Sequence, residues 1–274
     1  MSPDVQFIIV TGQKEGCMAH IHVYRDGTLV PETVYLPREF PLKLTVNGRE
    51  IATLVASPHD LRTLVAGFLR LQGFVESVDD FIELNVCEDF GVADVRIRKE
   101  LPERLRPILT SGCGTGVTFT LPAASPESGI DRSAAAGSFT PAELFAAMEE
   151  LARRAENYRR HGGIHSAAVA DGAELLLYAE DIGRHNTIDR LAGEALFRGL
   201  DLKGKALLTS GRVSSEMAAK AALLGVPLIV SRTSPTDMAV TIAAAAGITL
   251  VGYLRGTRFS VYTHPERIDC FRSD

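Results

Sequence analysis

A chain of 274 residues, 46% of them hydrophobic, has room for two domains and a substantial core. Its formal net charge of -5 excludes a general electrostatic footprint for nucleic acid, and four cysteines without a CxxC pair exclude a disulfide framework. The opening MSPDVQFIIVTG lacks a positively charged leader region, and the small-apolar run Met238 to Val251 is too short and too mixed for a bilayer span, so a soluble, cytoplasmic protein with no membrane partner is expected.

The first part, to about residue 120, reads as strands with one clear helix. In LKLTVNGREIATLVA, Asn47-Gly48 separates two apolar-rich runs, a strong hairpin signal. In SPHDLRTLVAGFLRLQGF, Ser57 suits an N-cap, Pro58 the first helical position and Asp60 the positive helix end, and Leu61, Leu64, Val65, Phe68 and Leu69 form one apolar face. Phe81–Cys87 and Val92–Arg98 pair naturally across EDFG. Residues 121–140 are rich in Pro, Ser, Ala and Gly and read as a linker. They end in Thr140-Pro141-Ala142-Glu143, a capping box with proline at the first helical position, so a helix is expected to run to about Arg160.

Beyond it, Ala167–Ala170 and Glu174–Ala179 flank the turn pair Asp171-Gly172. A helix near His185–Phe197 follows, then a strand at Ala206–Thr209 and a helix near Ser214–Leu224. Val226–Ser231 reads as a strand, Pro235–Ala246 as a helix and Ile248–Leu254 as a strand. Such alternation implies βαβ units and a largely parallel sheet over 141–274. The expected class is α/β, with a smaller strand-rich N-terminal domain over 1–120.

Several constellations carry chemistry. Ser111-Gly112-Cys113-Gly114-Thr115-Gly116 sets a cysteine between glycines, where neighbouring amides can stabilise a thiolate; a glycine-rich turn that happens to hold a cysteine is the alternative. Glu180 to Arg190 packs Asp181, Arg184, His185, Asn186 and Asp189 around a strand-to-helix junction; ion pairs on a solvated helix start are the alternative. Thr209-Ser210-Gly211-Arg212-Val213-Ser214 also opens a helix after a strand and suits a phosphate or carboxylate, or simply an N-cap. Gly162-Gly163-Ile164-His165 and Tyr253-Leu254-Arg255-Gly256-Thr257-Arg258 lie at further junctions, the latter with two arginines around a glycine. Gly199 to Lys205 imitates a P-loop but lacks its Ser/Thr and precedes a strand. His264-Pro265-Glu266 fits the H-x-E of zinc deaminases, but no PCxxC follows. Cys17, His20 and His22 lack an evident fourth ligand, so no metal site is expected.

EDIGRHNTIDRL, SGRVSSEMAAKAALLGVPLIVSRTSPTDMAV and ITLVGYLRGTRFSVYTHPERI resemble the formate dehydrogenase accessory sulfurtransferases, the FdhD family. HGGIHSAA, SPHDLRTLVAGFLRLQGF, VNG and SGCG fit in the same order, so the resemblance runs from about Val46 to Ile268. It implies a larger domain with a cytidine deaminase-like three-layer fold without the zinc chemistry. It also implies a sulfur carrier that accepts persulfide sulfur from a cysteine desulfurase and delivers it to a molybdenum bis(molybdopterin guanine dinucleotide) cofactor before formate dehydrogenase receives it. Cys113 matches the sulfur-carrying cysteine. Tyr253, Leu254, Arg255, Gly256, Thr257 and Arg258 match the segment expected to hold the cofactor, with Arg212 beside them for phosphates. Asp181, Arg184, His185, Asn186, Ser210 and Gly211 are expected to shape the pocket, and GDP is the expected mimic. Gly116 stands where the family's loop has its second cysteine. A cofactor-binding chaperone without sulfur transfer is therefore the second reading, and a deaminase-like hydrolase the third. The oligomeric state is open, a homodimer being one option.

Overall fold

The computed structural model describes residues 10–13, 16–102, 108–109, 117–118 and 138–270. Strands β1 (Val10–Gln13), β2 (Gly16–Arg25) and β3 (Thr28–Pro37) form an antiparallel ribbon. Strand β4 (Phe40–Val46) buries Phe40, Leu42, Leu44 and Val46 at every second position, then turns at Asn47 and Gly48, both left-handed, into β5 (Arg49–Ala56). That is the two-residue hairpin expected from Asn-Gly. Helix α1 (Leu61–Leu71) lays its apolar face on this sheet, which β6 (Phe81–Cys87) and β7 (Val92–Ile97) complete in the order β5-β4-β7-β6. The helix starts later than the sequence suggests: Asp60, not Ser57, is its cap, because Ser57 bonds elsewhere. The short strands β8 (Ile108–Leu109) and β9 (Val117–Thr118) pair antiparallel. Cys113 falls in the connection between them, outside the described residues, as does most of the expected linker.

Helix α2 (Pro141–Arg154) begins at the expected capping box, where Thr140 and Glu143 satisfy each other's amides. It does not continue to Arg160. Ala155 leaves the helical region, and a separate short helix α3 (Glu156–His161) follows. Strands β10 (His165–Asp171) and β11 (Glu174–Asp181), helix α4 (Arg184–Arg198), β12 (Ala206–Thr209), α5 (Ser215–Leu224), β13 (Leu228–Ser231), α6 (Asp237–Ala245), β14 (Thr249–Arg255) and β15 (Arg258–Thr263) build the larger unit.

Its six-stranded sheet has the order β11-β10-β12-β13-β14-β15. Only β12-β13 and β13-β14 are parallel; hairpins close both flanks, so the sheet is mixed rather than largely parallel. The sequence reading stopped at Leu254 and missed β15, whose burial alternates too weakly to stand out. Alternation across the sheet makes three layers. Ala167, Val169 and Leu207 face the core under α4, α5 and α6, while Ala168, Ala170 and Leu208 face α2.

Helices α1 and α4 lock the two units together. A Cβ on Gly67 would lie 1.6 Å from the Asp189 carbonyl oxygen, and one on Gly193 2.0 Å from that of Thr63. The backbones touch only because both positions are glycine.

Candidate functional site

The carboxyl ends of β12, β13 and β14 point to one edge of the sheet, and antiparallel β10 starts there. Crevices outside such strand ends are where α/β sheets take ligands. The loops are laced together. The Ser166 amide donates to Ser210 Oγ and the Ser210 amide to the Ser166 carbonyl, each at 2.9 Å. Ser231 Oγ donates to the Gly211 carbonyl at 2.7 Å, and the Arg255 Nε donates to the Arg232 carbonyl at 2.7 Å. Gly211 sits in close quarters: a Cβ there would lie 3.1 Å from Arg184 Cβ and 3.2 Å from His165 Nδ1. Tyr253 adopts a left-handed φ of 54° at an irregularity of the β14-β15 pairing, and its amide donates to the Thr233 carbonyl. Such local strain collects at functional edges.

These loops and α3 enclose a cavity of about 670 Å³. Arg159, His165, Ser210, Arg232, Thr233 and Arg255 line it with Tyr158, and among the described residues its wall contains no Asp or Glu. Burial, then the Arg184 guanidinium, holds His165 below the ordinary imidazole range, so it is neutral at pH 7. Three guanidiniums without a carboxylate suit an anionic ligand, above all one carrying phosphates.

Of the residues expected from sequence, Ser210 and Arg255 line this cavity and Gly211 lies beside it. Leu254 is buried in the α2-side core. Gly256, Thr257 and Arg258 form the exposed end of the β14-β15 hairpin, and Arg212 is exposed on the α5 loop, outside the cavity wall. Tyr253 is exposed beside that hairpin end.

Asp181 and Asn186 hold the two units together. Asp181 is 0% exposed; its carboxylate accepts from the Ser57 and Gly183 amides, Asn186 Nδ2 and both Nε and Nη2 of Arg190. Arg190 also donates to the Ser57 and His59 carbonyls, and Asn186 donates to that of Val55. Asp181 ends β11 and is not on the helix face of His185.

His185 instead joins a buried charge cluster. With its proton on Nε2 it donates to Ser214 Oγ at 3.1 Å, and the same nitrogen lies 3.3 Å from Glu216 Oε2. Lys220 bridges Glu216 and Asp189 at 3.1 and 2.8 Å. Burial pushes His185 down to about 4 against the pull of Glu216. One ammonium between two carboxylates leaves a surplus negative charge, and burial pushes Asp189 up to about 6.

Sequence reasoning missed Arg232 and Thr233 and left His165 without a role. A signal existed: LLTSGRVSSEMA and LIVSRTSPTDMA are two copies of one pattern, strand, Ser/Arg loop, hydroxyl N-cap, acid, Met-Ala. In the structure Ser214 and Thr236 cap α5 and α6 alike, and Val213 bridges Pro235 in parallel.

The FdhD/NarQ family model matches residues 37–269. This chain belongs to the FdhD/NarQ family. Among family relatives, the proteins named sulfur carrier protein FdhD from Staphylococcus aureus strains JH9 and Newman are 37% identical over 251 residues, covering 89% of this chain and 93% of theirs. A crystal structure from Desulfotalea psychrophila, described as a formate dehydrogenase accessory protein, superposes with a TM-score of 0.73 at 27% identity, covering 93% of this chain and 99% of that one. The FdhD/NarQ match spans every loop of the strand-end cavity and the Asp181 network. Among the described residues, no helix of this family member is long and apolar enough to cross a membrane.

Proposed function

We propose that this protein is a cytoplasmic sulfur carrier that passes persulfide sulfur through Cys113 to the molybdenum cofactor of a formate dehydrogenase. The observation that carries this reading is the 37% identity to curated sulfur carriers across 89% of the chain. The cationic strand-end cavity supports it, since the client cofactor carries two pterin guanine dinucleotides, each with a diphosphate, and is here a substrate.

In this reading the Cys113 thiolate attacks the outer sulfur of a persulfide on a cysteine desulfurase. A sulfur–sulfur bond forms at Cys113, the desulfurase's own breaks, and its cysteine leaves as thiolate. One thiol suffices for this exchange, so Gly116 in place of a second loop cysteine does not block it. Arg255 and Arg232 hold phosphates of the client cofactor, with Ser210 and Thr233 as hydroxyl partners. Exposed Arg258 and Arg212 draw the polyanion toward the edge. His165, neutral and half-buried, offers a ring nitrogen to a polar edge of guanine or pterin. Asp181, Arg184, His185 and Asn186 fix the loops that frame the cavity.

Gly116 also favours a second reading, a chaperone that binds the cofactor without carrying sulfur. Cells lacking their own carrier separate the two. Wild type should restore formate dehydrogenase activity and Cys113→Ser should not; equal rescue by both would leave the chaperone.

A further inference from the structure

Helix α3 is held differently from the other described α-helices. Helices α1, α2, α4, α5 and α6 each bury apolar residues in a core. In α3, Glu156, Tyr158, Arg159 and Arg160 are exposed and Asn157 is half-buried. Six residues do not make a stable helix in water on their own. Its hold is polar. Glu180 on β11, only 6% exposed, accepts from Asn157 Nδ2 at 3.1 Å and from the Tyr158 amide at 3.4 Å. It does the work of an N-cap that Ala155 cannot do.

Both ends of α3 are backbone joints. Ala155 takes ψ 65°, and Gly162 and Gly163 take φ of 64° and 66°, values that favour glycine. A Cβ on Gly163 would lie 3.2 Å from Pro37 Cγ, so the second joint rests on the end of β3. The segment preceding α3 is pinned by Tyr178, whose Oη donates to the Arg154 carbonyl, while Arg159 on α3 itself donates through Nη1 to the Ala152 and Arg153 carbonyls and so ties the strap to the end of α2 across the first joint. Cavities lie on both sides. Tyr158 and Arg159 line the strand-end cavity, while Asn157, Arg154 and Glu180 line another of about 690 Å³ on the α1-α4 side.

We propose that α3 is a hinged strap over the strand-end cavity, that Glu180 is the positioning residue that latches it, and that the closed strap presents the Tyr158 ring to a flat heteroaromatic group of the bound ligand. The ligand's class rests on the function proposed above. Tyr158 is 56% exposed, in a wall that also carries three guanidiniums, a combination suited to a ring bearing phosphates. The latch is self-restoring. With the strap open, a buried carboxylate loses two donors, and that loss is expensive enough to draw the strap back. A six-residue segment whose described side chains are mostly exposed, set between two joints, opens at the low end of the local-stability range.

The test is hydrogen exchange of the full chain, with GDP as the ligand and calorimetry alongside. In ligand-free wild type, amides of 156–163 should exchange at least about tenfold faster than those of α2, and saturating GDP should slow them about tenfold. Glu180→Ala should speed exchange in 156–163 alone, leave the melting temperature of the chain nearly unchanged, and weaken GDP about tenfold. Glu180→Gln keeps an acceptor oxygen and should recover part of both losses. The chain has no tryptophan, so Tyr158→Trp supplies a single indole whose emission should shift on adding GDP. Equal GDP affinity in wild type and Glu180→Ala, or α3 exchange indifferent to bound GDP, overturns the strap while leaving the nucleotide site intact. If wild type binds no GDP at millimolar concentration, the nucleotide reading falls. The latch is then judged on ligand-free protein, and unchanged exchange of 156–163 in Glu180→Ala and Glu180→Gln overturns it too.

Discussion

Replacing Gly67 by alanine sets two effects of opposite sign against each other. In an isolated helix, Gly→Ala stabilises by about 1 kcal/mol, because glycine loses more backbone freedom on folding. At this crossing the new Cβ would stand 1.6 Å from the Asp189 carbonyl oxygen, against 3.4 Å for ordinary contact, a shortfall of about 1.8 Å. The obstacle is backbone of α4, which cannot rotate away as a side chain would. Helix α1 must retreat, loosening the hydrogen bonds from Arg190 to Ser57 and from Arg70 to the Ala192 carbonyl. Overpacking costs about 1–3 kcal/mol, and the strained bonds add a further 1–2 kcal/mol or so, so the crossing wins. Urea unfolding followed by far-ultraviolet circular dichroism should show a net loss of about 2–3 kcal/mol. Gly193→Ala meets the Thr63 carbonyl at 2.0 Å and should cost a similar amount. The double variant should cost much less than the sum, since either change already parts the helices. A Gly67→Ala protein as stable as wild type, or more so, would refute this reading of the contact.

Arg190→Met leaves Asp181 as a buried carboxylate without its cation and should destabilise by about 3–5 kcal/mol in the same assay, far more than loss of an exposed pair such as Arg25–Glu32. Acid should weaken the fold between about pH 6.5 and pH 4. His185, held down to about 4 by burial, stays neutral in the folded state while its unfolded counterpart takes up a proton near 6.5. His59 and His165 are shifted the same way by burial, whereas Asp189, raised to about 6, works in the opposite direction over part of that range. His185→Gln should therefore flatten the acid limb of a stability-against-pH curve, by up to about 1.4 kcal/mol per pH unit at its steepest. Arg255→Ala should weaken GDP binding roughly tenfold by calorimetry without altering the melting temperature.

Features set by neighbours in sequence could be read from the chain alone. The Asn47-Gly48 hairpin and the Thr140–Glu143 capping box need only a few adjacent residues, and both stand as expected. The local patterning located the eight elements from β10 to β14 to within a few residues for the same reason. Ser57 failed as a helix cap because its partners, Asp181, Ile182 and Arg190, lie more than a hundred positions away. The break at Ala155 has no local breaker; Glu180 and Tyr178 supply it from another strand. Asp181 and His185 look alike in the sequence, as polar residues at one junction. Only the packing shows that one clamps α1 to α4 while the other joins a buried ion cluster. Arg232 and His165 enter the site through strand order, since β10 and β13 flank β12 only once the sheet has formed.

The central claim concerns Cys113, and one measurement addresses it directly. The protein is incubated with a cysteine desulfurase and cysteine, alkylated, digested and analysed by mass spectrometry. The peptide containing Cys113 should carry one additional sulfur, peptides containing Cys17, Cys87 and Cys270 should not, and Cys113→Ser should abolish loading. Sulfur spread equally over the other cysteines, or a Cys113→Ser protein that loads as well as wild type, would contradict the proposed sulfur-carrier function.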